Sequence, residues 1–414
     1  MMNFWDPNII TNLSGVEKKQ FLAKKKIIRQ LYQNDTMSIA ELSEQLMTSI
    51  PTAVSFMNSL IDDGFVEERG VGNSIGGRKP MHYGLKSNSF YVLGVDVGRR
   101  TIRITLFSNQ LECYYKWDEK PFDLAKGENM ISVLETYINT FIQELTIDTS
   151  LLIGIGLIMP GLINPKKGIN YTFLTHETEN LAAELSRRLG RSVFIENDAR
   201  ARALAEYRHG AARNSRNAMI VYVGNGLGLG MVLDGKMHLG KSGFAGEFSH
   251  IPIEHNTHLC NCGKVGCLET LASGGALVRM AEEEMEKGVN TTLKSVLQNQ
   301  GQLTPELIVE AALQGDHLSI SLINEIGANL GRGISYLVQI LNPEKVVLVG
   351  RVSRVGDMLI NSVSQALYHY CIPKLREDVT VEMSKLNSEA GLLGAATIVI
   401  EEMLSNEHFT NIKN

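Results

Sequence analysis

The ten residues from Cys260 to Glu269 read CNCGKVGCLE and contain three of the five cysteines in the chain. Thiolates bind zinc at about 2.3 Å, and a structural site closes a tetrahedron of four ligands around the ion. Cys260, Cys262 and Cys267 supply three, and Gly263 and Gly266 allow the chain to fold sharply about one ion. A fourth ligand must lie nearby. His250, His255 and His258 all stand within ten residues before Cys260, and residue chemistry alone leaves them equivalent. Cys113 and Cys371 stand apart, so the odd total argues against a disulfide framework. Three unligated thiols in one tight loop would be prone to oxidation, which favours bound Zn2+.

Such a loop needs a scaffold, and 414 residues with 44% hydrophobic content exceed one ordinary core. The balance of 40 basic against 45 acidic residues, a net charge of -5, excludes a chain that coats nucleic acid along its length. A local DNA-binding module remains compatible with it. There is no apolar run of about eighteen residues. The start MMNFWDPNII also lacks the basic-then-apolar order of a secretory signal, so a cytoplasmic protein without a membrane partner is expected.

Phe21, Ile27, Ile28 and Leu31 recur at helical spacing between Lys18 and Gln33, with Lys24, Lys25, Lys26 and Arg29 on a basic face. Ser38 and Glu41 then form a capping box for SIAELSEQLM. Ser49 can cap a third helix, PTAVSFMNSLIDD, with Pro51 in its first turn and a stop at Gly64. Strands over Phe65 to Arg69 and Met81 to Leu85 flank the loop GVGNSIGGRKP, giving a winged helix-turn-helix. Its third helix would place Thr52, Ala53, Ser55 and Asn58 near base edges or phosphates. Arg78 and Lys79 of the wing would meet the DNA backbone or the minor groove. Residues 1–86 hold ten Lys and Arg against nine Asp and Glu, a small charge for a DNA-binding module.

From Tyr91 the texture changes to α/β. YVLGVDVG, TIRITLF, LLIGIGLIMPG, SVFIEND, AMIVYVGNG and KVVLVG are short apolar runs with helical stretches between several of them. The closeness of the first two predicts that the sheet begins with an antiparallel hairpin. Two α/β lobes suit the length.

GEFSH from Gly246 to His250, followed by CNCGKVGCLET, resembles the zinc-and-sugar motif of the ROK family of repressors, open reading frames and kinases. GVDVG, GLIMPGLINP, ENDARARALAE, GNGLGLGMVLDGKMHLGKSGFAGE and LNPEKVVLVG follow in the family's order. With the helix-turn-helix, the chain is most similar to the sugar-responsive repressors, the class of the N-acetylglucosamine and xylose repressors. The resemblance implies a two-lobed actin-like or hexokinase-like ATPase fold behind a winged helix-turn-helix. The implied division is 1–86 for the DNA-binding module and linker, 87–200 for the first lobe and 201–414 for the second, with the final helix returning to the first.

The resemblance also selects His250 as the fourth zinc ligand and assigns sugar hydroxyls to Asn197, Asp198, Glu247, His250 and Glu269. Zinc would shape this pocket without touching the ligand. In ROK kinases Asp198 would be the general base. Here the phosphate turns read DVGRRTIR, with Arg99 and Arg100, and GNGLGLG, with Asn225, while Arg351 stands beside the adenosine position. Bulky residues at such turns keep a backbone from approaching phosphates. A repressor without catalytic residues is therefore expected, binding operator DNA and a sugar or amino-sugar effector as a homodimer or tetramer. The alternative is an active ROK kinase with an accessory DNA-binding domain.

Overall fold

A computed structural model describes residues 5, 13–71, 80–124 and 129–405. Helix α1 (Gly15–Asn34) begins at a capping box of Ser14 and Glu17 and buries Phe21, Ile27, Ile28 and Leu31. After β1 (Thr36–Ser38), α2 (Ile39–Leu46) starts at Ser38. The Ser38 N–H donates to Glu41 Oε2 at 2.7 Å, and the Glu41 N–H donates back to Ser38 Oγ at 3.3 Å. Ser49 caps α3 (Ile50–Asp62), with Pro51 in the first turn, and Gly64 follows at φ 81°. β2 (Val66–Val71) and β3 (Met81–Leu85) complete the wing. The three strands form an antiparallel sheet in the order β1-β3-β2. At three residues β1 is too short to carry a period, and sequence reading passes over it. Arg78 and Lys79 lie outside the described residues.

The chain divides into two compact units. One comprises Met1–Ile158, Phe173–Ile195 and Ala395–Asn414; the other comprises Met159–Thr172 and Glu196–Gly394. The winged module thus shares a unit with the first α/β sheet. Trp5 packs against both Phe65 of the module and Phe90 at the start of the sheet, at ring-centroid distances of 5.9 and 5.1 Å.

That sheet is built from β4 (Tyr91–Val97), β5 (Thr101–Ser108), β6 (Cys113–Pro121) and β7 (Leu152–Met159). After the short pair β8 (Ile163–Asn164) and β9 (Ile169–Asn170) of the second unit, β10 (Val193–Asn197) completes it. The order is β10-β7-β4-β5-β6. β4 and β7 are buried along their whole length, which explains their unbroken apolar runs. β6 is almost wholly exposed, and in CYYKWDEKP the charged residues interrupt the strand preference of Tyr114, Tyr115 and Trp117. Helices α4 (Met130–Gln143) and α5 (Leu181–Leu189) belong to this unit.

The second unit begins its main fold with α6 (Asp198–His209), followed by β11 (Ala218–Val223), β12 (Leu227–Leu233) and β13 (Lys236–Met237). Helices α7 (Glu269–Ala272), α8 (Gly274–Glu286), α9 (Leu293–Gln300), α10 (Pro305–Leu313) and α11 (His317–Leu341) precede β14 (Lys345–Val349). Then come α12 (Asp357–Tyr370), α13 (Pro373–Glu377) and β15 (Thr380–Met383), and α14 (Ala390–Leu404) belongs to the first unit from Ala395 onward.

The sheet order β13-β12-β11-β14-β15 repeats the plan of the first: an antiparallel meander of three strands, then a fourth strand parallel to the first. Both sheets open on the antiparallel hairpin anticipated for β4 and β5. No helix among the described residues is long and apolar enough to cross a membrane.

Candidate metal centre and ligand pocket

A single 3-10 turn, Phe248–His250, sets His250 at the entrance to the cysteine loop. The loop is then closed on itself by backbone bonds: Cys260 N–H to Lys264 O at 2.8 Å, Gly263 N–H to Cys260 O at 2.9 Å, and Gly266 N–H to His258 O at 3.0 Å. Gly263 and Gly266 take φ of 85° and 91°, a region that a side chain makes costly. Asn256 Nδ2 holds the far end, donating to Cys267 O at 3.0 Å and Thr270 Oγ1 at 2.9 Å.

The result brings one ligand atom each of His250, Cys260, Cys262 and Cys267 within 4.8 Å of one another. His250 Nδ1 lies 3.7 Å from Cys260 Sγ, and the sulfurs of Cys262 and Cys267 are 3.6 Å apart. A tetrahedron with arms of about 2.3 Å has edges of about 3.8 Å, so these four groups can hold a metal ion of zinc's size. Their chemistry also suits a cation. Burial pushes the Cys260 thiol up to about 12 and raises Cys267, whereas the Lys264 backbone N–H lowers Cys262. A thiol near 12 becomes a thiolate at neutral pH when a metal takes the proton's place. His255 points away, with its side chain 90% exposed beside Glu254, and His258 is outside the cluster.

The two ring nitrogens of His250 look in different directions. Nδ1 faces Cys260 and Glu269 Oε2, the latter at 3.9 Å, while Nε2 lies 3.7 Å from Glu247 Oε2. Glu269 Oε2 in turn accepts from the Cys260 thiol at 3.6 Å. Burial raises Glu247; His250 and Arg200 oppose that rise, and the carboxylates of Glu269 and Asp198 add to it. Glu247 and Glu269 thus both lie within 4 Å of the His250 ring, on its two nitrogens.

Asn197 is occupied in a different way. Its Oδ1 caps α6 by accepting from the N–H groups of Ala199 and Arg200 at 3.0 and 3.2 Å, and its Nδ2 donates to Gly161 O at 3.1 Å.

Sequence reading missed two arginines of ENDARARALAE. The side chain of Arg200 is only 4% exposed, and its Nε donates to Glu196 Oε1 at 2.7 Å. Its Nη2 donates to Ile163 O at 2.8 Å and its Nη1 to Gly243 O. One guanidinium therefore ties the start of α6 to the β8–β9 segment and to the loop that carries Glu247. Arg202 donates to Asp198 O at 2.8 Å, stacks 4.4 Å over Tyr222 and lies 3.9 Å from the Asp198 carboxylate. The signal was the four-residue spacing of Glu196 to Arg200 and of Asp198 to Arg202.

Residues 92–402 match the ROK family, and residues 23–67 match a winged helix-turn-helix DNA-binding module. The chain belongs to the ROK family. A ROK family transcriptional regulator, homologous to the E. coli MLC protein, superposes with a TM-score of 0.76 and 27% identity, covering 93% of this chain and 96% of that one. The xylose repressor of Caldicellulosiruptor bescii is 28% identical over 387 residues, 92% of this chain and 96% of its own. A ROK family glucokinase from Streptomyces griseus, solved with glucose and AMPPNP, is 26% identical with a TM-score of 0.65, covering 74% of this chain and 98% of that one.

Against the ROK kinase pattern, the glycine run GNGLGLG separates into two parts. Gly224 to Gly226 form a turn whose carbonyls accept from the N–H groups of Gly274 and Gly275 at 2.8 and 2.9 Å, at the start of α8. Gly228 and Gly230 lie within β12, where a Cβ would collide with Ala199 and Ala203 of α6; they serve close packing. Asp96 is bonded to Arg103 at 2.6 Å, and Arg351 to Glu306 at 2.7 Å. Arg99 and Arg100 are exposed in the turn between β4 and β5.

Ala53 requires a correction as a DNA contact. It is 1% exposed in the core of the three-helix module and cannot reach a groove. The outward stripe of α3 is Pro51, Val54, Ser55 and Asn58, while Thr52 is half-buried and bonded to Ser49 at 2.8 Å.

Proposed function

We propose that this ROK protein is a transcriptional repressor of sugar uptake or catabolism genes, released from its operator by a sugar bound at Asn197, Asp198, Glu247, His250 and Glu269. The observation that carries this reading is the pairing, in one chain, of a winged helix-turn-helix with acids that lie beside the group of His250, Cys260, Cys262 and Cys267. Several fixed acceptors are what a polyol needs, and a site so built rejects molecules lacking the matching hydroxyls. The metal is Zn2+, held by His250, Cys260, Cys262 and Cys267, and its part is structural: it fixes the ring of His250 and the backbone that leads to Glu269.

On DNA, α3 lies in the major groove through Val54, Ser55 and Asn58, with Val54 suited to a thymine methyl. Arg78 and Lys79 are assigned to the DNA backbone or the minor groove on charge alone. A homodimer presents two such helices to two half-sites. Sugar that binds one conformation better than another shifts the population away from the DNA-binding form. The ion pairs of Asp96 with Arg103 and of Arg351 with Glu306 favour a regulator over a kinase, since both occupy positions that nucleotide contacts require in ROK kinases.

A gel-shift titration on DNA from its own upstream region, with pentoses, hexoses and amino sugars, tests the reading. Release by at least one sugar is expected. Turnover of ATP with any of those sugars, at rates of about 1 per second or faster, would replace repressor by kinase.

A further inference from the structure

Two aromatic rings meet on the segments that adjoin the acids. Tyr171 follows directly on β9, and Phe244 lies three residues before Glu247. Their rings pack edge to face, with centroids 5.6 Å apart and planes at 88°. Tyr171 is 46% exposed and Leu162, across the hairpin from it, 39%. Phe244 is half-buried, and both rings belong to the second unit.

The pair is held in place by groups of the candidate pocket. The Tyr171 N–H donates to Leu162 O at 2.8 Å, and the neighbouring Gly161 O accepts from Asn197 Nδ2 at 3.1 Å. The Leu162 N–H donates to Thr172 Oγ1 at 2.9 Å, and the buried Asn170 donates to Pro160 O and accepts from the Thr172 N–H. Gly161 has φ 104°, and a Cβ there would come within 2.8 Å of Thr172. Arg200 donates both to Ile163 O, beside Leu162, and to Gly243 O, beside Phe244. One guanidinium thus fixes the backbones of both aromatic segments against each other. A surface so ordered in advance loses little entropy when a ligand lands on it.

A pyranose offers two kinds of surface. Its hydroxyls radiate from the rim, and its C–H groups make the faces of the ring apolar. Carboxylates and amides match the hydroxyls of any polyol, cyclic or open, whereas a flat aromatic ring matches an apolar face of fixed shape. We propose that Tyr171, seated against Phe244, is a specificity-determining residue whose ring covers the C–H face of the sugar held by the acids, so that the pocket selects pyranoses over open-chain polyols with the same hydroxyls. This rests on the reading of the pocket as a sugar site.

Calorimetric titration of the zinc-loaded full chain tests the proposal with D-glucose, N-acetyl-D-glucosamine and D-xylose, each against its own alditol, the alditols being read by displacement of the sugar. Tyr171→Ala is expected to weaken whichever pyranose binds by about 3–10-fold and to leave its alditol unchanged, while Tyr171→Phe keeps the pyranose affinity. With ring-labelled tyrosine, a nuclear Overhauser contact from Tyr171 to the C–H protons of the bound sugar is expected, assigned by its loss in Tyr171→Phe. Metal content and melting temperature report whether each variant is folded. Undiminished pyranose binding in Tyr171→Ala, an equal loss of pyranose and alditol, or the absence of the Overhauser contact in the parent chain overturns the proposal and leaves the sugar reading standing. If no sugar binds the parent chain, the sugar reading itself falls and this proposal falls with it.

Discussion

The amino-terminal module and the cysteine loop hold short stretches of chain by opposite means. The module closes over Phe21, Ile27, Ile28, Leu31, Leu42, Met57 and Leu60, all essentially inaccessible, and each of its helices starts on a serine cap. Each such side chain contributes about 1.5–3 kcal/mol on burial, so no single group decides the outcome. The loop from His250 to Glu269 buries Ile253 and Leu268 beside Cys260 and Cys267, and leaves Leu259 and Val265 at 72% and 57% exposure. Its apolar content is small, and backbone bonds, Asn256 and the four candidate metal ligands hold it. Stability in the module is spread over many contacts, whereas in the loop, on the function proposed above, it rests on one metal ion held by four side chains.

Removing that ion is the change with the largest expected effect. Chelation, or Cys267→Ser, should weaken sugar binding by about 10–100-fold or more and free the backbone amides of residues 250–269 to exchange, with the module still protected. Metal content, calorimetry and amide exchange on the same sample check it. Protection of the loop persisting without metal would erase the contrast between the two regions.

The apolar core of the module also encloses a group that can carry charge. Lys25 is fully buried in α1, and its Nζ donates to Ser405 O, just past α14, at 3.3 Å. Burial pushes its pKa from 10.5 down to about 7. Between these values the unfolded chain binds the proton that the folded chain has lost. Stability should therefore rise with pH from about 7 to about 10.5, by at most about 1.4 kcal/mol per unit, and the full cost of the buried charge remains below 7.

Lys25→Met removes that cost. It should stabilise the protein by about 2 kcal/mol at pH 6, with the gain fading toward pH 10, as read from denaturant midpoints at three pH values. Destabilisation at every pH would mean that the lysine is held as a charged partner, and that the module too depends on a polar anchor.

The same contrast explains what was legible in the sequence. Three helices and most buried strands declare themselves by period, cap and apolar run, because the forces that build them act within a few residues. The candidate metal ligands were legible through chemistry and resemblance, since thiol spacing restricts what they can do; residue chemistry alone leaves the three histidines equivalent, and the resemblance and the fold both single out His250. β6 escaped because it buries almost nothing and so shows no apolar alternation, and β1 because it is too short. Gly228 and Gly230 read as part of a phosphate turn although they accommodate Ala199 and Ala203. Ala53 read as a base contact because helical spacing fixes a stripe only once the packed face is known. The tie from Arg200 to Gly243 and Ile163 spans 43 and 37 residues, a separation at which one sequence carries no local signal.

The smallest effect expected is also the sharpest check on how the module is held. Ser38 caps α2 while Glu41 reaches back to the Ser38 N–H and hydroxyl, both at 2.7 Å. Ser38→Ala should cost about 1 kcal/mol, within the usual range for losing a cap. The Ser38 backbone and side-chain bonds hold the Glu41 carboxyl below its usual 4.5. Their contribution is present above that value and fades as pH falls through the lowered one, so the penalty of Ser38→Ala should shrink on acidification below about 4.5. Urea unfolding at pH 7 and pH 3.5 measures both quantities. A loss at pH 7 comparable to that caused by removing the metal would show that the module, like the loop, hangs on a single group.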